Sequence, residues 1–411
     1  MGSIISSNSE ESYSTLENKE DFKEIEEIAL SYSCMASNYY KQGKFKEAES
    51  LFLMCKQFRE KIYPLKHPGF AKLYANLGNI YTHTNQTDKA MHYLNLCKEI
   101  RKDTLCADHP DLAGVYSLLG SLQSKLENYQ AAQEYFFKSL KIYEKSLPYN
   151  DPKVASVLNN LGLNFFNQDL WEQAEEYYCK AVQILQDQKT PLHATTYSNL
   201  GTLYRTSGDH SSAEKYLKEA LDIRKQLYPA KHPEIGFSEN NIGSLYYSLG
   251  EYSKSIGHFE AAAQILKSAL APTHPTLIQV FKNLASMYYT LGNFTQAESL
   301  YIDCAGIYSE TGEQKKEASI LNLLGLLYHT QGDYERARDT YWRALSLQVP
   351  DALALEVLSN LAELYCNNNE NLRALETFYR IIDLQKKTLN SDSPTLKNTM
   401  LRVQELQGFV S

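Results

Sequence analysis

The 411-residue chain carries 41 Lys and Arg against 49 Asp and Glu, a net charge of -8, with no block of basic residues. That excludes the concentrated cationic face on which phosphate-backbone binding depends, so nucleic acid is not an expected partner. No apolar run approaches the roughly 20 residues of a membrane-spanning helix, and no cationic-then-apolar leader opens the chain, so a reduced cytoplasmic setting is expected.

Residues 1–20 (MGSIISSNSEESYSTLENKE) are serine-rich, acidic and aperiodic, and read as a tail without a core. Met1-Gly2 followed by Ser6 fits the M-G-x-x-x-[ST] pattern for myristoylation at Gly2, which would make the chain a peripheral membrane protein. The residues that follow are acidic (Glu10, Glu11, Glu17, Glu20, Asp21), and one acyl chain holds a membrane only marginally.

Residues 21–390 repeat one sentence. A small residue recurs at Ala36, Gly78, Gly120, Gly162, Gly201, Gly243, Ala285, Gly325 and Ala362, spaced by 42, 42, 42, 39, 42, 42, 40 and 37 residues. Twelve positions on stands Ala48, Ala90, Ala132, Ala174, Ala213, Ser255, Ala297, Ala337 or Ala374. Four beyond that stands a bulky residue: Phe52, Leu94, Phe136, Tyr178, Leu217, Phe259, Tyr301, Tyr341 or Phe378. Two helices approach to roughly 8–10 Å only where their contact holds small side chains, so each period is a helix pair closed by its Gly and Ala phases. The turn between the two helices falls on Gly43, Asn85, Glu127, Asp169, Gly208, Gly250, Gly292, Gly332 and Asn369, of which Glu127 is the least suited to a left-handed backbone.

Three positions after the small residue comes Tyr39, Tyr81, Phe165, Tyr204, Tyr246, Tyr288, Tyr328 or Tyr365, with Gln123 breaking the series. This phase draws on the 31 tyrosines, which supply packing bulk with a wet hydroxyl end. Between units stand His67-Pro68, His109-Pro110, Asp151-Pro152, His232-Pro233 and His274-Pro275. Proline suits a first helical turn, so these histidines are boundary residues, with no second ligand at metal-binding spacing. The seven cysteines form no C-x-x-C pair; Cys55, Cys97 and Cys304 share the phase of Ala181, Ala220, Ala262 and Ala344 and read as buried fillers. Residues 391–411 open on Ser391-Asp392-Ser393-Pro394 and carry a stripe of Leu396, Met400, Val403 and Leu406, a capping helix for a stacked array.

These phases resemble the tetratricopeptide repeat over about residues 25–390, in the longer-period form seen in kinesin light chain-like and nephrocystin-3-like proteins. The resemblance implies an all-α, right-handed solenoid of about nine helix-turn-helix repeats. It also implies that the extra residues lengthen each second helix by about two turns. First helices would line the concave side. In this family the asparagine two positions before the small residue faces that groove and holds a ligand's backbone. The matching residues are Asn76, Asn160, Asn199, Asn241, Asn283 and Asn360, with departures at Cys34, Leu118 and Leu323. A carboxamide both donates and accepts, which suits it to an extended peptide, and suits it equally to bridging helices with no ligand at all. Neighbouring positions add Lys72, Lys125, Arg205, Lys282, Tyr247 and Tyr289, with Asn159, Asn240 and Asn322, and at the ninth unit Glu356 and Glu363. The expected ligand is an acidic or aromatic-containing linear peptide.

No nucleotide, metalloprotease or nucleophile-elbow motif is present, and no cofactor is expected. The function expected is a non-catalytic scaffold or adaptor. Two alternatives stand beside it. One is a kinesin light chain-like cargo reader without the coiled coil that binds the heavy chain. The other is a repeat array detached from a larger enzyme or nucleotide-driven sensor, against which Met1 and the C-terminal stripe favour a complete module.

Overall fold

The computed structural model describes residues 19–41, 43–186, 188–388 and 393–410. Gly2 and the rest of the serine-rich stretch before Lys19 lie outside them. The described elements are all helical, α-helices with one 3-10 turn at Pro68–Phe70, and the chain divides into two compact units, Met1–Gly208 and Asp209–Ser411. The first holds α1 (Lys19–Lys41), α2 (Phe45–Glu60), α3 (Ala71–His83), α4 (Thr87–Thr104), α5 (Pro110–Lys125), α6 (Tyr129–Ser146), α7 (Pro152–Phe166), α8 (Trp171–Leu185) and α9 (Pro191–Ser207). The second holds α10 (His210–Leu227), α11 (Pro233–Ser248), α12 (Tyr252–Ala269), α13 (Pro275–Thr290), α14 (Phe294–Thr311), α15 (Gln314–Thr330), α16 (Tyr334–Ser346), α17 (Asp351–Asn367), α18 (Asn371–Thr388) and α19 (Pro394–Val410). Within each unit, consecutive helices pack as antiparallel pairs, and each pair stacks on the next. Helix α1 begins at Lys19, two residues before the boundary expected from the repeat.

The Gly and Ala phases do what their size requires. A Cβ placed on Gly78, Gly120, Gly162 or Gly325 would fall within 2.7 Å of Leu94, Phe136, Tyr178 or Tyr341, the bulky residue of the paired helix. All nine turn residues adopt positive φ, from Asn369 at 57° to Gly208 at 89°. Glu127, at 62°, holds the left-handed conformation without glycine's freedom.

The longer period is absorbed differently from the expectation of two extra helical turns. The 42-residue units have second helices of 18 residues, as in α4, α6, α10 and α12, followed by a five-residue loop that ends on the His or Asp before proline. Loop and helix share the added length. The shorter spacings come from the same places: α8 has 15 residues and α16 has 13.

The boundary histidines are N-caps. The Nδ1 atoms of His67, His109, His232 and His274 accept the backbone N–H two residues on, at 3.1, 3.1, 3.3 and 3.2 Å, and Asp151 Oδ1 accepts from Lys153 at 2.8 Å. An acceptor Nδ1 cannot carry a proton, so these caps require neutral imidazole. Burial pushes the pKa of His274 below 6.5. The folded value is depressed, so the cap's contribution is complete above pH 6.5 and is lost as pH falls through the folded value. Hydrogen exchange at the first turns of α13 should therefore accelerate on going from pH 7.5 to pH 5, beyond the intrinsic pH effect. His274→Asp, which copies Asp151, should remove that excess. An excess that persists in the aspartate variant would assign it to another group.

Cys55, Cys97 and Cys304 are buried, and every described cysteine is free. Cys97 Sγ donates to the Ala71 carbonyl, and Ser139, at the same phase, donates to Ala113 at 2.9 Å. Burial pushes the thiols up, to about 11 at Cys97 and about 12 at Cys304, which removes thiolate chemistry at neutral pH. In α19, Leu396 and Val403 are buried against Leu375 and Ile382 of α18, with Leu406 beside them, while Met400 is exposed. The stripe is narrower than its sequence pattern: the 396, 403, 406 spacing stays on one face and Met400 rotates off it.

Candidate peptide-binding face

The first helices carry the asparagines, and the structure divides them into two sets. Asn199 Nδ2 on α9 donates to Asn159 Oδ1 on α7 at 3.0 Å. Asn283 on α13 donates to Asn240 on α11 at 3.2 Å, and Asn360 on α17 to Asn322 on α15 at 2.9 Å. Each rung joins the residue two before the small phase to the residue three before it in the preceding unit. Asn159 and Asn322 are 6% and 3% exposed, so their amides depend on these internal partners. Asn322 also donates to Glu356, and Asn283 accepts from Gln279 at 2.9 Å.

Asn76, Asn160 and Asn241 make no side-chain hydrogen bond among the described residues, and each is half-buried. The preceding unit offers Ser33 to Asn76 and Ser117 to Asn160 where the rungs have asparagine. Serine is too short to supply the amide oxygen that closes a rung. Asn160 opens instead onto a cavity of about 250 Å³ lined by Ser121, Ser124, Lys125, Phe136, Leu163 and Asn167.

The predicted cations differ in the same way. Lys125 Nζ donates to the Thr82 carbonyl and Lys72 is exposed. Arg205, near the end of α9, is half-buried with no ion pair or hydrogen bond among the described residues, and burial lowers its pKa. Lys282 is half-buried and likewise has no carboxylate partner among them. In the second unit Tyr247 is exposed and lies against Tyr252, while the Tyr289 hydroxyl meets Thr330 Oγ1 at 2.8 Å. His329 and Asn367 form the matching contact at 3.0 Å one unit on. Glu363 sits near enough to His329 to oppose the lowering of its pKa by burial.

Two recurrent devices escaped the sequence reading. The tyrosine phase is held from both sides. Tyr81, Tyr204, Tyr246 and Tyr328 donate their hydroxyls to Glu49, Glu175, Glu214 and Glu298, each one residue after the small phase of the preceding second helix. Lys89, Lys254, Arg336 and Arg373 lie over the rings of Tyr81, Tyr246, Tyr328 and Tyr365 from the paired helix. Gln123 and Phe165, which lack the hydroxyl, follow units with Met91 and Gln133 at the glutamate position. The second device is an arginine near the end of the second helix. Arg59 reaches the Gly69 carbonyl, Arg101 the Asp111 carbonyl, and Arg224 pairs with Glu234 at 3.0 Å, clamping the start of the next unit. A fixed offset of eleven residues after Ala48, Ala90 and Ala213 was the available signal.

No described helix is long and apolar enough to cross a membrane, and no described group of His, Cys, Asp and Glu is arranged to hold a metal ion.

Against known families, tetratricopeptide repeat models match residues 27–103, 149–226, 234–310 and 278–348, and further models of that description match 113–146 and 355–395. The chain belongs to the tetratricopeptide repeat family, and these repeats make it a protein-interaction scaffold. It is similar to the photosystem I assembly protein Ycf3 of Parasynechococcus marenigrum (strain WH8102), 33% identical over 98 residues, which are 24% of this chain and 54% of that protein. The chain thus spans about half the length of the curated relatives it matches. Among solved structures, a Rap protein complexed with competence and sporulation factor aligns over 91% of this chain and 99% of its own at 17% identity, with a TM-score of 0.55. A putative kinesin light chain with nearly identical TPR-like repeats from Podosopora anserina aligns over 49% of this chain and 98% of its own, at 19% identity and a TM-score of 0.42.

Proposed function

We propose that the chain is a non-catalytic adaptor whose first-helix faces bind extended peptide segments, Asn76 and Asn160 contacting the backbone of a segment held by the first unit and Asn241 that of a segment held by the second. The observation that carries this reading is the division of the amides. Asn199, Asn283 and Asn360 spend their donors on one another's neighbours and set the register between first helices. Asn76, Asn160 and Asn241 keep donor and acceptor unspent on the same phase. A half-buried amide without a partner gains most from a ligand that supplies both halves of a backbone hydrogen-bond pair. Arg205 in the first unit and Lys282 in the second, half-buried cations with no carboxylate partner among the described residues, favour an acidic residue in the segment each unit binds. The likeness to a Rap protein bound to competence and sporulation factor supports a ligand-holding role for such arrays.

The experiment is selection from a random peptide display library on the wild-type chain, followed by affinity measurement on variants. Asn160→Ala combined with Asn76→Ala should weaken the selected peptides at least tenfold and leave thermal stability unchanged. Arg205→Glu should do the same for acidic peptides. Asn199→Ala should instead cost about 1 kcal/mol of stability, because it strips Asn159 of its donor. If Asn199→Ala weakens the peptides and Asn160→Ala does not, the assignment of the two sets is reversed and the proposal fails.

A further inference from the structure

At the outer junction between the last two helix pairs the tyrosine lacks the glutamate that takes the hydroxyl of Tyr81, Tyr204, Tyr246, Tyr288 and Tyr328. At four of those junctions the residue after the small phase is the glutamate that takes the next tyrosine's hydroxyl. Tyr288 uses Glu260 instead, on the following turn of its helix, at 2.7 Å. At the α16–α18 junction neither position is acidic: the first is Arg338 and the second is Trp342. The Tyr365 hydroxyl accepts the Trp342 Nε1–H at 3.2 Å, and its own proton has no acceptor among the described residues, although the residue is only 4% exposed.

The cations around it lack the carboxylate too. Arg336 lies over Tyr328 and reaches Glu298 across the junction at 3.1 Å. Arg373 lies over Tyr365 in the equivalent place but, among the described residues, pairs only with Glu370 in its own turn. Arg380 rests over the Trp342 ring, 5.1 Å from its centre, and has no ion pair among the described residues. Arg338 pairs with its exposed neighbour Asp339 at 3.2 Å. Arg338, Trp342, Tyr365, Arg373 and Arg380, with Glu376 and Thr377, line an open cavity of about 480 Å³. Arg380 also borders a second groove of about 690 Å³, whose walls include Leu345, Leu347, Val349, Leu358 and Leu384, with Asp383 at its edge.

We propose that this cavity binds an acidic side chain of a partner protein, whose carboxylate takes the place that an internal glutamate holds at the other junctions. It would accept the Tyr365 proton and the guanidinium donors of Arg338 and Arg373, as Glu298 accepts from Tyr328 and Arg336. Three arginines against the single Glu376 in the lining give the pocket the sign to receive it. Aliphatic residues beside the acidic one enter the neighbouring groove past Arg380. The occupant is therefore a linear segment that joins an acidic residue to aliphatic ones. The site lies on the second-helix side and does not depend on the first-helix amides.

The test titrates the peptide acetyl-EEDLVL-amide into the full chain carrying Trp171→Phe, which leaves Trp342 as the sole tryptophan. A saturable change in Trp342 emission is expected, weakened at least tenfold by Arg338→Glu. That variant restores the glutamate pattern of the other junctions, so its circular dichroism should match the parent. Arg380→Gln, which leaves the Tyr365 contact in place, should weaken the peptide in the same direction. An equal response to acetyl-QQNLVL-amide, or an Arg338→Glu chain that responds like the parent, overturns the proposal. So does a Trp342 response confined to a phosphoserine peptide or to anionic phospholipid vesicles.

Discussion

Gly325→Val should destabilise its helix pair by about 3 kcal/mol, the upper end of what overpacking a core costs. A Cβ at Gly325 falls 2.5 Å from Tyr341 Cε1, a contact that real structures do not contain. Tyr341 is fully buried, so its ring has no solvent-side rotamer into which to retreat. Helix propensity works the other way: Gly→Ala gains up to about 1 kcal/mol in a helix interior, and valine gains less. Alanine should therefore come out about 1 kcal/mol destabilising, because the chain already shows a smaller version of the same accommodation. In the seventh unit Ala285 stands at this phase opposite Tyr301, whose hydroxyl is met by Ser286 at 3.1 Å. Valine adds two branches that no unit accommodates, and α15 must part from α16. Hydrogen exchange on amides of those two helices reads the effect directly, since a repeat array opens locally before it opens as a whole. Protection in the valine variant equal to that of the parent would show that the small phase does not set the helix approach.

The period, the small phases and the turn positions were legible because each is a local requirement. A residue that must be small, or must tolerate positive φ, announces itself at one position, and even Glu127 obeyed the phase against its own preference. What could not be read was pairing across units. Asn199 and Asn160 carry the same residue at the same phase, and only the neighbour about 40 residues earlier, Asn159 against Ser117, separates a closed rung from an open amide. The same holds for the tyrosines. Tyr365 looks like Tyr328 until the glutamate phase of the preceding unit is compared and Arg338 is found there. Helix length was misjudged because the added residues form a capped loop, and the cap rests on an imidazole acceptor that spacing does not show. Met400 was misplaced by counting a four-residue step on a stripe that turns at Leu396, Val403 and Leu406.

The inter-unit arginines give the second large effect. Arg59 is 7% exposed, donates to the Gly69 carbonyl at the entrance to α3, and meets Glu26 Oε1 of α1 at 3.0 Å. It thereby ties three helices of the first unit at one point. Arg59→Met keeps the bulk and removes the charge, leaving the Glu26 carboxylate without its counter-ion and the Gly69 carbonyl without its donor. Breaking a half-buried, charge-assisted pair in this way costs about 2 kcal/mol. Glu26→Gln should cost only about 1 kcal/mol, because the amide oxygen still accepts and the Gly69 bond survives. Replacing both, as Arg59→Met with Glu26→Leu, should recover most of the loss, since two apolar side chains of similar volume require no counter-charge. The three variants are compared by urea unfolding and by exchange protection in α2 and α3. A double variant as unstable as Arg59→Met alone would mean that the arginine acts through packing of its stem rather than through its charge. Recovery would mean that the ion pair contributes little net stability, and that its role is to fix where α3 begins relative to α1 and α2. That role matches the recurrence of the same reach at Arg101 and Arg224, each directed at the first turn of the unit that follows.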